Sequence, residues 1–178
     1  KPTVIVLING GMISIDNLMD ASAIVEAFYP GARGAQAVAE TLYGLHNRFG
    51  RLPATMYSTS FQYQQSLTDF DMTTPPGRTY RYYRGEPLFP FGHGLSYTNF
   101  SLECQALPFT INCSVTNTGK REGDYVALYF HSVGDDIRAI DQPFPITNLI
   151  AFQRVSLKAG DTVKVSKTFV KEDFASTT

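Results

Sequence analysis

The chain has 178 residues, of which 43% are apolar and 17% charged, and its formal net charge is −1. That length suits one domain or two small ones, and the balance supports a packed core rather than a disordered chain. A near-neutral chain with no run of Lys or Arg lacks the electrostatic footprint of a nucleic-acid binder. No apolar run approaches the roughly 20 residues that span a bilayer, so neither nucleic acid nor membrane is expected as a partner.

The amino end, "KPTVIVLINGG", has one positive charge and a short apolar run. It ends in Asn-Gly-Gly rather than a small-residue cleavage site, so a strand from Thr3 to Ile8, covered on both faces, fits better than a signal peptide. "SIDNLMDAS" is a short helix candidate with Ser14 as N-cap. "AIVEAFY" (Ala23 to Tyr29) predicts a second strand, stopped by Pro30-Gly31. "GAQAVAETLYG" then puts Ala35, Val38 and Leu42 on one helical face, with Gly44 as the stop. Strand, helix, strand, helix in this order predicts a parallel sheet with right-handed crossovers. Two strands do not make a stable sheet of this kind, so a larger domain beginning before Lys1 is expected.

Regular periodicity is absent from about Gly50 to Phe100. "GRLPATMY" and "TTPPGRTYRYY" are extended and turn-rich, and loops this long need a reason. From Asn99 the period becomes two. In "NFSLECQ" the apolar set is Phe100, Leu102 and Cys104, and in "FTINCSVTN" it is Phe109, Ile111, Cys113 and Val115. "DYVALYFH", "NLIAFQRVSL" and "TVKVSKTF" follow, with "KAGD" (Lys158 to Asp161) as a turn between the last two. Five candidate strands predict a β-sandwich, short of the about seven of an immunoglobulin-like one. A truncated sandwich, in a chain cut at both ends, is the expectation.

Several runs together resemble a known family. "VLINGGMISI", "AIVEAFYPGARGAQAVAETLYGLHNRFGRLPATMY", "PGRTYRYYRGEPLFPFGHGLSYTNF" and "VTNTGKREGDYVALYF" are similar, in this order, to the carboxyl-terminal part of glycoside hydrolase family 3. "NLIAFQRVSLKAGDTVKV" resembles that family's fibronectin type III-like domain, while "DFDM...PPGRTYRYY" and "GDYVALYF" are closer to its β-xylosidase branch than to its β-glucosidase branch. The resemblance implies an α/β plus all-β chain. Residues 1–56 would end a flavodoxin-like α/β domain, 57–98 would form an extended aromatic linker, and 99–178 a truncated fibronectin III/immunoglobulin-like sandwich. It also implies a secreted, retaining exo-glycosidase acting on β-D-xylose or β-D-glucose ends of oligosaccharides, without a cofactor. In that family a barrel supplies an aspartate nucleophile and the α/β domain an acid/base glutamate. The barrel is absent here, and the chain would start after the glutamate, so the oligosaccharide substrate would bind through the missing barrel and the chain alone would be inactive. Tyr80, Tyr82, Tyr83, Phe89, Phe91 and Tyr97 would be buried between domains, with a sugar-stacking surface as the functional alternative.

Retaining hydrolysis needs two carboxyl groups about 5 to 5.5 Å apart. Asp69 and Asp71 fall in a polar loop, Asp135 and Asp136 in "SVGDDIR", and Glu26 in a strand, where burial would raise its pKa unless a cation or solvent faces it. None matches a catalytic motif of the family, so no catalytic residue is assigned. Asn9 to Gly11 and Tyr29 to Arg33 should share the sheet edge where ligands bind. A helix starting near Gly34 could favour a phosphate, but neither GxGxxG nor GxxxxGK[ST] is present. Met12 and Arg33 depart from the family pattern, which has proline and an acidic residue at those places. His46, His93 and His131 have no metal-ligand spacing, and no metal site is assigned. Asn99-Phe100-Ser101 and Asn112-Cys113-Ser114 are glycosylation sequons with both asparagines on the outward phase. Cys104 and Cys113 fall on the inward phase of successive strands. They are either a disulfide, worth roughly 2.5 to 3 kcal/mol for so short a loop, or two unpaired core cysteines. The sequons and the resemblance point to an oxidising compartment, which favours the bridge.

Overall fold

Strands β1 (Val4–Leu7) and β2 (Ala23–Glu26) lie side by side and parallel in the computed structural model, which describes residues 1–132, 134 and 144–174. Their register runs from Val4 opposite Ala23 to Leu7 opposite Glu26. Both are shorter than the apolar runs suggest. Phe28 turns to a φ of +50°, which ends β2, and Ile8 is already exposed. Val4 is exposed as well. Cover on both faces is therefore not found within this unit, whose one helix longer than a turn, among the described residues, is α1 (Gly34–Leu42). The helix expected at Ser14 shrinks to a single 3-10 turn, Asp16–Leu18, in which Ile15 is buried just ahead of the turn. Asp, Asn and Ser compete with the backbone for hydrogen bonds and so favour turns over a helix interior. The α1 helix meets expectation, ending at Tyr43 with Gly44 at a φ of +73°, where glycine avoids a Cβ clash.

These elements belong to a first compact unit, formed by Lys1–Tyr43, Leu52–His93 and the described part of Val133–Thr147. Its core joins Leu7, Ile15 and Met56, with Ile5, Met12, Ile24, Leu88 and Phe89 packed around them. Met56 and Phe89 exchange backbone hydrogen bonds of 2.9 and 3.3 Å, which tie the two ends of the irregular stretch together. Between them lie a 3-10 turn (Thr59–Tyr63) and a single helical turn, α2 (Thr79–Tyr82). The rings of this stretch mostly contact one another. Tyr57 stacks on Phe61 at 3.9 Å, Tyr83 meets both edge-on, and Tyr80 stacks on Phe91 at 4.3 Å.

The second unit comprises Gly44–Arg51, Gly94–Ser132 and the described part of Asn148–Thr178. All five strands foreseen from the alternation are present in it. One antiparallel sheet has the order β3 (Phe100–Leu107), β4 (Thr110–Asn117) and β7 (Thr162–Thr168), and a second pairs β5 (Gly123–His131) with β6 (Asn148–Leu157). Cys113 and Val115 of β4, Val165 of β7 and Leu157 of β6 form one buried cluster, so inner faces of both sheets share a core. Ile150 is the extra residue of a bulge, since Tyr129 pairs with Ala151 but Phe130 with Leu149. The "KAGD" turn closes with Asp161 N–H on the Lys158 carbonyl at 3.1 Å.

Two buried asparagines fasten the segments that precede the sheets. Asn117 is fully buried, and its amide makes four hydrogen bonds. It accepts from Thr98 Oγ1 (2.7 Å) and Gly119 N–H (3.1 Å), and donates to the carbonyls of Arg121 (2.7 Å) and Leu157 (3.1 Å). Asn47 donates to the Glu122 carbonyl (2.9 Å) and accepts from Ser96 Oγ and Tyr97 N–H, both at 3.0 Å. Residues 44–51 and 94–99 are thereby strapped to the sandwich. Unpaired, these polar groups would be costly to bury.

Candidate functional site

Because β1 and β2 run parallel, their carboxyl ends share one edge. The Tyr29 ring there lies against Gly10, so close that a Cβ on Gly10 would sit 2.9 Å from Tyr29 Cε2. Asn9 donates to the Gly11 carbonyl, and Glu26 Oε1 accepts from Phe28 N–H at 3.0 Å. Asn9 Oδ1 and Glu26 Oε2 are buried without a hydrogen-bond partner among the described residues. Arg33 is exposed at the N-terminal end of α1, with no side-chain cap on that helix.

A concavity of the first unit lies elsewhere. It has a volume of about 410 Å³ and gathers three separated segments: Met12 to Ser14, Tyr57 to Leu67, and Arg78. Met12, Tyr57, Phe61 and Arg78 are half-buried in its wall and Gln65 is buried, whereas Gln62, Ser66 and Leu67 are exposed. Arg78 is fixed by hydrogen bonds from Nη2 to Gln65 Oε1 (3.1 Å) and the Ser66 carbonyl (2.6 Å). Tyr57 Oη accepts from Thr79 N–H at 2.5 Å, and burial pushes the phenol pKa up. Thr79 holds a φ of +60°, an uncommon conformation for a β-branched residue that places its N–H on this oxygen. Beside the cavity, Asp16 Oδ2 accepts from Ser14 Oγ (2.5 Å), Thr59 Oγ1 (2.9 Å) and Thr59 N–H (2.9 Å). The Ser14 hydroxyl, joined by the two Thr59 bonds, outweighs desolvation and holds the Asp16 carboxyl below the usual range. None of the lining residues is a carboxylate.

The other candidates from the sequence disperse. Asp69 and Asp71 cap their own loop, bonding the N–H groups of Asp71 and Thr73, and the Thr73 bonds lower the pKa of Asp71. Asp135 and Asp136 lie outside the described residues. No group of three His, Cys, Asp or Glu among the described residues could hold a metal, and no helix among them is long and apolar enough to cross a membrane. Asn99 and Asn112 are both exposed, and Asn112 Oδ1 accepts from Ser166 Oγ at 2.6 Å. Cys104 stands directly opposite Cys113, with Cα atoms 4.1 Å apart. Cys113 is buried at 5% exposure, but Cys104 is exposed, contrary to its expected inward burial. The phase is as expected. Burial fails because β3 is an edge strand whose residues after Phe100 are all exposed.

A mixed helix-and-strand unit followed by paired antiparallel sheets defines the class of protein. Residues 1–97 match the glycosyl hydrolase family 3 C-terminal domain. The chain belongs to glycoside hydrolase family 3. Among similar proteins, a xylan 1,4-β-xylosidase from Xylanibacter ruminicola is 34% identical over 181 residues, covering 97% of this chain and 20% of that protein. An exo-1,4-β-xylosidase from Emericella nidulans is 35% identical over 192 residues, covering 93% of this chain and 25% of its own. A solved GH3 exo-β-xylosidase in complex with a xylobiose aziridine probe superposes with a TM-score of 0.85 at 26% identity, covering 98% of this chain and 27% of that one. A β-glucosidase from Streptomyces venezuelae in complex with D-glucose gives 0.77 at 29% identity, covering 96% and 24%. The chain thus spans about a fifth to a quarter of the length of these curated relatives.

Proposed function

We propose that this chain is the carboxyl-terminal part of a secreted, retaining exo-β-glycosidase that removes terminal β-D-xylose, with β-D-glucose as the alternative sugar. The observation that carries this is the match to exo-1,4-β-xylosidases along nearly the whole chain, from the parallel strands through the sandwich. The second unit would be the family's fibronectin type III-like domain, and the first the end of its flavodoxin-like α/β domain. Two antiparallel sheets sharing one buried cluster, and two parallel strands followed by a helix, support these assignments. The nucleophile and the acid/base carboxyl would lie outside these 178 residues, and the carboxylate-free cavity accords with that. Exposure of Asn99 and Asn112 supports glycosylation at both, and the direct pairing of Cys104 with Cys113 supports a bridge.

Intact mass and turnover test this together. Protein from its native source should have a denatured mass several times 19.7 kDa and hydrolyse an aryl β-xyloside, while the 178-residue chain alone should not. A native mass near 19.7 kDa plus glycans, with no turnover, would remove the glycosidase assignment.

A further inference from the structure

We infer that Asn112 accepts its glycan only before the Cys104–Cys113 bridge closes, so that oxidation of the hairpin sets how many molecules carry it, while Asn99 is modified independently. This rests on the secretory, glycosylated assignment proposed above. The two chemistries meet because Cys113 is the middle residue of the sequon Asn112-Cys113-Ser114.

Glycan transfer joins asparagine Nδ2 to the first sugar carbon. The bond from that carbon to the pyrophosphate of a lipid-linked donor breaks, and the amide nitrogen gives up a proton. The transferring enzyme has to bend the tripeptide so that the hydroxyl of its third residue returns to the asparagine amide. In an extended strand, residues two apart stand about 6.6 Å from each other with parallel side chains, which excludes that bend. β4 holds the whole sequon extended. It is the middle strand of its sheet: Asn112 is paired with Gln105 and Ser166, Cys113 with Cys104 and Val165, and Ser114 with Glu103 and Lys164.

The two neighbours of β4 arrive at different times. β3 and β4 make a local hairpin whose bridged cysteines are nine residues apart. Ser166, on β7, lies 54 residues beyond Asn112. Until that strand has been made, only the hairpin keeps β4 extended. A two-stranded hairpin is marginally stable in water and opens, unless it is covalently closed. Closure takes two electrons and two protons from the two thiols and passes them to an oxidised protein dithiol, leaving the S–S bond on the residue around which the tripeptide must bend. Asn99-Phe100-Ser101 differs on each count. It contains no cysteine, it lies at the start of the outer strand β3, and Asn99 itself precedes that strand.

The test sends the full-length protein through the secretory pathway of yeast and labels it in a short pulse. Each sequon is read in the total cell pool by glycosidase release in heavy-oxygen water and mass spectrometry, so a variant that fails to leave the cell is still counted. In the parent, Asn99 should be glycosylated in most molecules and Asn112 in a minority. Cys104→Ala keeps Cys113 and the sequon, and should raise Asn112 to a majority with Asn99 unchanged. A membrane-permeant dithiol reductant during the pulse should do the same in the parent and add nothing in Cys104→Ala. Val165→Ala weakens the core cluster around Cys113 but keeps both cysteines, so it separates loss of the bridge from loss of stability; Asn112 should stay at the parent's level. The inference is overturned if Asn112 is as occupied in the parent as in Cys104→Ala, or if Val165→Ala raises it as far. Asn99 glycosylated with Asn112 bare in every variant overturns it as well. Neither asparagine glycosylated in any variant would remove the glycosylation assignment along with it.

Discussion

Asn117 is where the sandwich is most exposed to a single change. Its amide uses all of its hydrogen-bonding capacity inside a site with no solvent access. Asn117→Ala removes four bonds and leaves the Thr98 hydroxyl, the Gly119 N–H and the carbonyls of Arg121 and Leu157 short of partners. At about 1 kcal/mol net per bond, the four lost bonds sum to roughly 4 kcal/mol. That is a large share of a marginal stability and lies in the diagnostic tail of point mutations. Asn117→Asp makes the argument sharper. It keeps both acceptor bonds but turns a carboxylate oxygen toward two carbonyls, so the folded state favours the protonated acid. The folded pKa then exceeds the unfolded one, the native state binds more protons, and stability falls as pH rises through that interval. Urea denaturation followed by far-UV dichroism, from pH 4 to 8, reads both variants. A loss below 1 kcal/mol for Asn117→Ala, or a pH-independent Asn117→Asp, would refute the reasoning.

Gly119→Ala should cost about 1–3 kcal/mol, since the new Cβ would press on Thr98 Oγ1 and lie 2.8 Å from Asn99 N; an unchanged urea midpoint would contradict this. Asp124 is paired with Arg154 at 2.7 Å and bonded by Ser156 Oγ at 2.6 Å. Burial opposes its ionisation, but Ser156, Arg154 and the charge of Arg48 outweigh it and hold the pKa below the ordinary 3.8. Its folded pKa is thus depressed, so its stabilisation is present above 3.8 and lost as pH falls through the folded value. Asp124→Asn should therefore be less stable at pH 7 and lose less on acidification below pH 4, as thermal melts across that interval would show. Ellman titration of the denatured, unreduced protein should find no free thiol, and reduction should lower the urea midpoint by up to about 3 kcal/mol in stability terms. Two titratable thiols would remove the bridge.

The strands of the second unit were legible because one face of each is apolar and the other is not, and a period of two survives any context. The α1 helix was legible for the same reason, its stop being a glycine at positive φ. The stretch from 57 to 93 was not. Its order comes from contacts between rings far apart in sequence, such as Tyr57 with Tyr83 and Tyr80 with Phe91, and such contacts leave no local period. The cavity stayed hidden likewise, because Met12, Phe61 and Arg78 meet only after folding. Cys104 shows the limit of alternation: it fixes which face a residue takes but not whether anything covers that face. Asn47 gave no signal at all, since an asparagine in "GLHNRFG" looks like an ordinary turn residue.

The straps around Asn47 and Thr98 bear on how this sandwich can be inherited. A domain entered once and left once by the chain can be copied between genes as a cassette. Here the second unit takes in residues 44–51 before the chain returns to the first unit, and resumes only at Gly94. A piece starting at Phe100 would leave Asn117 without Thr98 and the Glu122 carbonyl without Asn47. Recombination that moves the sheets alone would deliver a sandwich with open seams, so residues 44–51 and 94–99 have to move with them.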